Sequence, residues 1–285
     1  MRVITKEIIL NFEKHLTAEE KASATLEKYI RDVKAFCAWL DGRTVDKNEI
    51  LNYKNELCEK YSVSSVNSVI SALNTFFAFC DWNELRIKAI KTQKQIFSNK
   101  EKELTKQEYQ RLLQTACNKG NERLFLLMQT ICSCGIRISE LKYITVESLK
   151  RERAEINCKG KRRSVFLPSD LCKMLKEYTH KKKIKSGPVF ISKTGKPLDR
   201  SNIWSDMKKL CREAGVSEKK VFPHNLRHLF ARTYYSNQKD IVRLADILGH
   251  NNINTTRIYT MENGDNHRRQ IQKLGLLRCL NGVTT

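Results

Sequence analysis

Apolar residues return at three- and four-residue steps through the first 90 positions, and that period admits helices and little else. In ATLEKYIRDVKAFCAWL the repeat falls on Leu26, Tyr29, Ile30, Val33, Phe36, Cys37 and Leu40. Thr5 opens KEIILNFEKHL, Ser23 is placed to cap the second helix, and Asp46 caps a third, KNEILNYKNELCEKY. A fourth starts at Ser64 or Ser65 and runs through VISALNTFFAFCDW. Short polar side chains at these points satisfy the free N–H groups of a first turn. Four such helices close a small bundle.

Residues 91–103, KTQKQIFSNKEKE, have no hydrophobic period and read as a linker. A second block, 104–285, opens on Thr105 with Glu108 three residues on, a capping box. Helices TKQEYQRLLQTACN and NERLFLLMQTICSCG follow, and Gly135 breaks the pattern before RISELKYI. The period then shortens: EINC and SVFLP flank KGKRR, which predicts a β-hairpin with a basic tip. Pro168 starts another helix, and PVFIS reads as a further strand. Helices SNIWSDMKKLCREAG, HNLRHLFARTYYSN, DIVRLADILGH and NTTRIYT complete the block, with a final helix expected over about 266–277. The fold class is mainly α with a small β-sheet, and no repeat of solenoid length occurs.

The chain has 285 residues, which corresponds to one or two domains at about 150 residues each. No run of eighteen apolar residues is present, which excludes a membrane-spanning helix. The N-terminus, MRVITKEIIL, lacks the apolar stretch and cleavage site of a signal peptide, so the expected compartment is the cytoplasm. The balance of 53 Lys+Arg against 31 Asp+Glu leaves a formal net charge of +22. Counted along the sequence, 1–100 carries 16 basic and 13 acidic residues and 101–285 carries 37 and 18, so +19 sits in the second block. Lys and Arg that neutralise phosphates release condensed counterions, so nucleic acid is the expected partner; the bland alternative is a merely basic surface.

Ten cysteines are present, without a CxxC pair and without a neighbouring His. Zinc sites need clustered ligands, so reduced thiols on apolar helical faces are the better reading. No metal and no other cofactor is expected.

Several groups can carry chemistry. His224, Arg227 and His228 in HNLRH lie at i, i+3 and i+4, on one helical face. Two His at that spacing can ligate zinc, but Asn225 stands where a zincin has Glu. A guanidinium and an imidazole on one face of a basic domain suit a phosphodiester better. Arg137 follows Gly135 at a helix start, where an anion can bind; its alternative is a surface pair with Glu140. His250 ends LGH, where it can be a plain C-cap, and Tyr259 follows nine residues later, with Tyr234 and Tyr235 as rivals.

The order CGIRISEL, KGKRR, HNLRH, LGHNNINTTRIY through a basic domain resembles the tyrosine recombinases of the phage-integrase superfamily, in their compact Xer-like form. The resemblance implies a helical, SAM-like core-DNA-binding domain over 1–90 and a mixed α/β catalytic domain with a C-terminal tail over 104–285. It further implies that Arg137 and Arg227 clamp the scissile phosphate and that His224 assists proton transfer. In the same scheme His250 hydrogen-bonds the phosphate, Tyr259 is the nucleophile, and Lys159 is the general acid for the leaving 5′ oxygen. Glu140 would buttress Arg137, His228 would support the site from behind, and Lys161, Arg162 and Arg163 would contact DNA. Two departures stand out: Cys134-Gly135 replaces the usual Thr-Gly, and the hairpin is one residue short. Lys159 is favoured over Lys161 because Lys159-Gly160 keeps the Lys-Gly pair before the turn.

This chemistry explains the residue types. A phenol forms a phosphoester that keeps the bond energy for religation. Tyrosine normally ionises near pH 10, so it needs a base or nearby positive charge. Arginines and a histidine preorganised around the phosphate take up the charge of the pentavalent transition state. The implied partners are double-stranded DNA recombination sites, gripped between the two domains. The implied assembly is a homotetramer on two DNA sites, with the monomer as the form free in solution. Ile271, Leu274, Leu276 and Leu277 would form a small apolar face on the tail, for a neighbouring protomer or for the chain itself. The expected activity is recombination through a 3′-phosphotyrosyl intermediate and a Holliday junction, serving integration and excision of a mobile element. The alternatives are Xer-like dimer resolution or DNA inversion, and, outside recombination, a type IB topoisomerase, a DNA-binding protein without activity, or a metal-dependent nuclease.

Overall fold

The computed structural model describes residues 2–91, 100–158, 161–192, 194–259 and 272–274. The chain divides into two compact units, Met1–Lys94 and Gln95–Thr285. In the first, α1 (Lys6–Ala18), α2 (Ser23–Leu40), α3 (Lys47–Lys60) and α4 (Val63–Phe79) form the bundle. Thr5 and Asp46 cap α1 and α3 as their sequences predict. The α4 cap is Ser62, not Ser64 or Ser65, because the chain is still extended at Ser62 and already helical from Val63. Ser23 is the first residue of α2 and its hydroxyl hydrogen-bonds Glu27 within the helix, leaving Ala22 at the cap without a side-chain bond. Phe12, Phe36, Phe76 and Phe77 are fully buried at the centre. Phe12 meets Phe76 edge-on, with ring centroids 5.1 Å apart. Asn74 and Asn67 on α4 each exchange two hydrogen bonds with the backbone, at Ile87 and Ile90, and so hold the extended chain that leaves the bundle.

The second unit begins with α5 (Lys106–Asn118), whose capping box between Thr105 and Glu108 is present, and α6 (Glu122–Cys134). After Gly135 a short 3₁₀ turn, Ile138–Tyr143, leads to α7 (Val146–Lys150). Strands β1 (Arg153–Cys158) and β2 (Lys161–Phe166) pair antiparallel, from Arg153 opposite Phe166 to Cys158 opposite Lys161. Then come α8 (Ser169–Lys181), α9 (Arg200–Ala214), α10 (Pro223–Gln238), α11 (Ile241–Leu248) and α12 (Ile253–Thr256), followed by a 3₁₀ turn at Arg257–Tyr259. The expected strand PVFIS does not form. Val189 and Phe190 are buried, but the segment has only isolated bridges, Thr145 with Pro188 and Ile191 with Pro197. The proline brings no N–H to a ladder, and burial alone makes the apolar run. Leu274 is exposed, and the rest of the expected apolar tail face, Ile271, Leu276 and Leu277, lies outside the described residues.

Helix α6 is largely buried, with Leu126, Leu127, Met128 and Ile131 inside the main core, and it packs against α10. A smaller core joins Ala231, Leu244, Leu248 and Tyr259. The described cysteines are free, with Cys134, Cys172 and Cys211 buried and Cys58 and Cys117 exposed. Among the described residues no helix is long and apolar enough to cross a membrane.

Gly135 ends α6 at φ +63, and a Cβ there would stand 2.4 Å from the Phe230 ring. Gly135→Ala should therefore cost about 1–2 kcal/mol in backbone strain, with a steric penalty in addition. Denaturant unfolding should show the transition of the second unit moved to lower concentration and that of the first unit unmoved. Equal shifts in both would contradict this account.

Candidate active site

Three chain segments converge on Arg227. It lies in the second turn of α10, which Pro223 starts and which Asn225 fastens by donating to the carbonyls of Lys102 (2.8 Å) and Lys220 (2.7 Å). The Arg227 side chain is 1% exposed. Its Nη1 donates to the Gly135 carbonyl (2.6 Å) at the end of α6, and its Nη2 donates to the Leu248 carbonyl (2.7 Å) at the end of α11. Both acceptors belong to helix C-termini, where free carbonyls and the helix dipole favour a cation. Burial and the neighbouring Arg137 pull its pKa down to about 10, which leaves it charged near neutral pH. Its Nε is buried without a partner.

Arg137 stands just past the α6 terminus, with its guanidinium 39% exposed. Its backbone N–H donates to Glu140 Oε2 (2.7 Å) and its Nη1 to Oε1 (3.0 Å). Glu140 is 1% exposed and also accepts from Arg163 Nη2 (2.6 Å), with Arg227 Nη1 at 4.0 Å. Burial pushes the Glu140 carboxyl up, but the Arg137 backbone bond and the Arg163 charge outweigh it and hold the group below the usual carboxylate range. Glu140 is thus an ionised hub among three arginines, Arg137, Arg163 and Arg227.

His250 follows Gly249, which ends α11 in the left-handed conformation. Its Nε2 is 3.0 Å from Arg227 Nη2 and its Nδ1 is 2.9 Å from the Thr256 hydroxyl. Arg227 can only donate, so Nε2 accepts and Nδ1 carries the proton. Burial and the charges of Arg227 and Arg137 push its pKa down to about 4, so the ring is neutral. Tyr259 is 4% exposed and its hydroxyl faces the Arg227 guanidinium. Its ring lies nearly parallel to His250, centroids 6.0 Å apart, and edge-on to His228 at 4.7 Å. His228 in turn meets His224 at 4.6 Å. His224 is exposed, and partial desolvation together with the charges of Arg227, Arg137 and Arg200 lowers its pKa. Burial, first, and then His224 and Arg232 push that of His228 down to about 3.

The structure therefore brings Arg137, Glu140, His224, Arg227, His228, His250 and Tyr259 together from the segments just after α6 and α11, from α10 and from the turn after α12. Tyr234 and Tyr235, the rival tyrosines, pack beside the small core. Lys159 lies outside the described residues, as do Gly160 and the side chain of Lys161. Arg162 is exposed in β2. Arg163 departs from the expected DNA contact. It turns inward, 14% exposed, to Glu140 and to the Ile247 carbonyl, because it sits opposite Ile156, two register steps from the tip pair, and faces the core side. Thr256, fully buried and orienting His250, carried no signal in the sequence. Gly249, which the sequence marks as a helix terminator, does end α11, and a Cβ there would stand 2.5 Å from Arg163 Cδ.

A cavity of about 770 Å³ opens on one side of the cluster, lined by Arg137, His224 and Arg227 together with Arg200, Trp204 and Lys208 of α9. A second, about 880 Å³, opens beyond Arg137 and is lined by Arg162, Arg163, His250 and Asn252. Among the described residues no three His, Cys, Asp or Glu are grouped to hold a metal ion. The cluster as built can bind a phosphate between fixed cations and place a phenol beside it.

Residues 102–265 match the model of the phage integrase family, and residues 9–84 match that of the phage integrase N-terminal SAM-like domain. The chain belongs to the phage integrase family, the tyrosine recombinases, and is a site-specific DNA recombinase. It is similar to tyrosine recombinase XerA of Pyrococcus furiosus, at 28% identity over 292 residues, spanning 99% of this chain and 98% of that protein. Among solved structures, XerH recombinase bound to its difH substrate before cleavage matches with a TM-score of 0.71 at 20% identity, covering 96% of this chain and 85% of that one. A lambda integrase tetramer bound to a Holliday junction matches with a TM-score of 0.71 at 20% identity, covering 90% and 77%.

The neutral histidines make the second unit acid-sensitive. The folded value of His228 is about 3, below the 6.5 of a free imidazole, so the unfolded chain takes up the proton first. Its contribution is full above about pH 6.5 and is lost as pH falls toward 3, at about 1.4 kcal/mol per pH unit. The unfolding free energy of the second unit, measured in urea at pH 7 and 5, should fall by about 2 kcal/mol from this residue. His228→Gln should remove that part of the slope, and an unchanged slope would contradict the assignment.

Proposed function

We propose that this recombinase cuts DNA by attack of Tyr259 on a phosphate held by Arg137 and Arg227. The observation that carries the reading is buried Tyr259, whose phenol interacts with the Arg227 guanidinium and whose ring packs against His250 and His228. Arg137 offers an exposed guanidinium to a non-bridging oxygen, and Arg227 has an unused Nε–H beside its anchored Nη groups. The phenolic oxygen forms the new bond to phosphorus, the bond to the 5′ oxygen breaks, and that oxygen leaves with a proton. The product is a 3′-phosphotyrosyl linkage and a free 5′-OH. Lys159 supplies the leaving-group proton, and His224, neutral and open to the cavity, assists proton transfer at the nucleophile. The negative charge of a bound phosphate favours a proton on His250 Nε2, drawn from solvent, and the ring then donates to the phosphate. Attack by the 5′-OH of a partner duplex reverses the chemistry on a new strand, and two rounds pass through a Holliday junction. The helical unit over 1–90 holds core DNA, the segment 91–103 connects it to the catalytic unit, and four protomers act on two sites. Fixed cations fill the charge-stabilising role that a divalent ion plays elsewhere, so the reaction proceeds without one.

For the biological role, integration and excision of a mobile element is the first reading. Xer-like dimer resolution or inversion is the second, and the alignment along nearly the whole of XerA favours it. Sequencing the covalently bound DNA discriminates between them. Sites at both ends of one element support the first reading, and a solitary chromosomal or plasmid site supports the second.

The mechanism is tested by covalent trapping in EDTA on nicked duplexes tiled across the DNA that flanks the chain's own gene. A nick beside the cut lets the short 5′-OH fragment diffuse away and strands the intermediate. The expected result is an SDS-resistant protein–DNA band that disappears in Tyr259→Phe. Arg137→Ala should form it about 10²–10³-fold more slowly. A band that persists in Tyr259→Phe would move the nucleophile to another residue, and a band abolished by EDTA would require a metal.

A further inference from the structure

We propose that Arg163 is a positioning residue for the phosphate-binding arginines, acting by dividing the negative charge of Glu140 and fastening the hairpin to the end of α11. The inference rests on the proposed phosphoryl chemistry for its readout and on the geometry of β2 for its substance.

Arg163 points away from solvent, unlike its neighbour Arg162. One end of its guanidinium pairs with Glu140 Oε2 at 2.6 Å, and the other donates to the Ile247 carbonyl. Ile247 immediately precedes Leu248, whose carbonyl anchors Arg227, and lies three residues before His250. Arg163 therefore links the turn that carries Arg137, the helix end that carries His250, and the strand. Lysine cannot replace it: a single ammonium does not span two acceptors that a planar fork reaches together. Gly249 fits the same picture. The Arg163 stem passes through the space where a side chain at Gly249 would stand, 2.5 Å from Cδ and 2.9 Å from Nε. Gly249 is thus required by the close approach of Arg163 as well as by its φ of +64.

The charge consequence follows. Oε2 of Glu140 faces Arg163 at 2.6 Å and Arg227 Nη1 at 4.0 Å. With Arg163 present, one carboxylate is shared among three guanidiniums, and the cluster keeps net positive charge toward an incoming phosphate. Without Arg163, the same carboxylate turns to Arg137 and Arg227 alone. Both are then drawn toward Glu140 and partly neutralised, which weakens the donors that must strengthen as the phosphorane forms.

The test uses the full chain and the nicked duplex on which it forms the Tyr259-dependent band. Single-turnover band formation, equilibrium binding of the same duplex and the thermal transition of the second unit are measured for Arg163→Met, Arg163→Lys and the pair Arg163→Met with Glu140→Gln. Arg163→Met should slow band formation about 10–100-fold with binding unchanged. Arg163→Lys should remain slow. Adding Glu140→Gln to Arg163→Met removes the undivided charge and should recover several-fold in rate. A rate unchanged in Arg163→Met overturns the proposal, as does a double variant no faster than the single one or a loss of rate matched by loss of the thermal transition. A band that survives Tyr259→Phe counts against the proposed nucleophile and not against Arg163.

Discussion

The catalytic unit is organised around a buried arginine. A guanidinium that is 1% exposed loses its hydration, a cost of several kcal/mol that must be met by close partners. Arg227 meets it with the carbonyl ends of two helices and with the carboxylate of Glu140 nearby. Those partners lie in segments that are far apart in sequence, so satisfying one side chain brings the α6 terminus, the α11 terminus and α10 to one point. The last carbonyls of a helix lack partners within it, and here the same charge serves those at the ends of two helices.

The remaining site residues follow from that point. Arg137 leaves the α6 terminus and His250 leaves the α11 terminus, each one or two residues beyond a glycine in the left-handed conformation. Glu140 turns back onto the backbone of Arg137 and so closes the turn that presents it. Burial and this much fixed positive charge hold the neighbouring imidazoles neutral, and His228 and His250 pack as rings against Tyr259. The site thus concentrates cations that cannot lose their protons and surrounds them with groups that do not add charge. Such an arrangement awaits an anion.

The bundle was legible from periodicity and caps, since Thr5 and Asp46 start helices by local hydrogen bonds alone. The failures have local causes as well. Ser62 competes with two nearby serines for the α4 cap, and only backbone geometry selects among them. PVFIS has the composition of a strand, but a strand needs a partner edge, which periodicity does not reveal. In the site, motif order along the chain was enough to nominate Arg137, Glu140, His224, Arg227, His228, His250 and Tyr259. Thr256 was invisible, and Gly249 was legible only as a helix terminator, because the contacts with His250 and Arg163 come from what passes beside them.

The sequence by itself determined the helical class and the basic character of the second block and nominated candidate site residues, because these rest on side-chain type and on spacing within one element. Tertiary structure decided which donors are free and which are spent. Arg162 and Arg163 are adjacent and chemically identical, yet one is exposed and the other is consumed by Glu140 and the Ile247 carbonyl. Successive residues of a strand point to opposite faces, so the hairpin register assigns one arginine to solvent and the next to the core. The same holds for the histidines, whose charge state is set by burial and by arginines brought in from other helices, neither of which a linear sequence specifies.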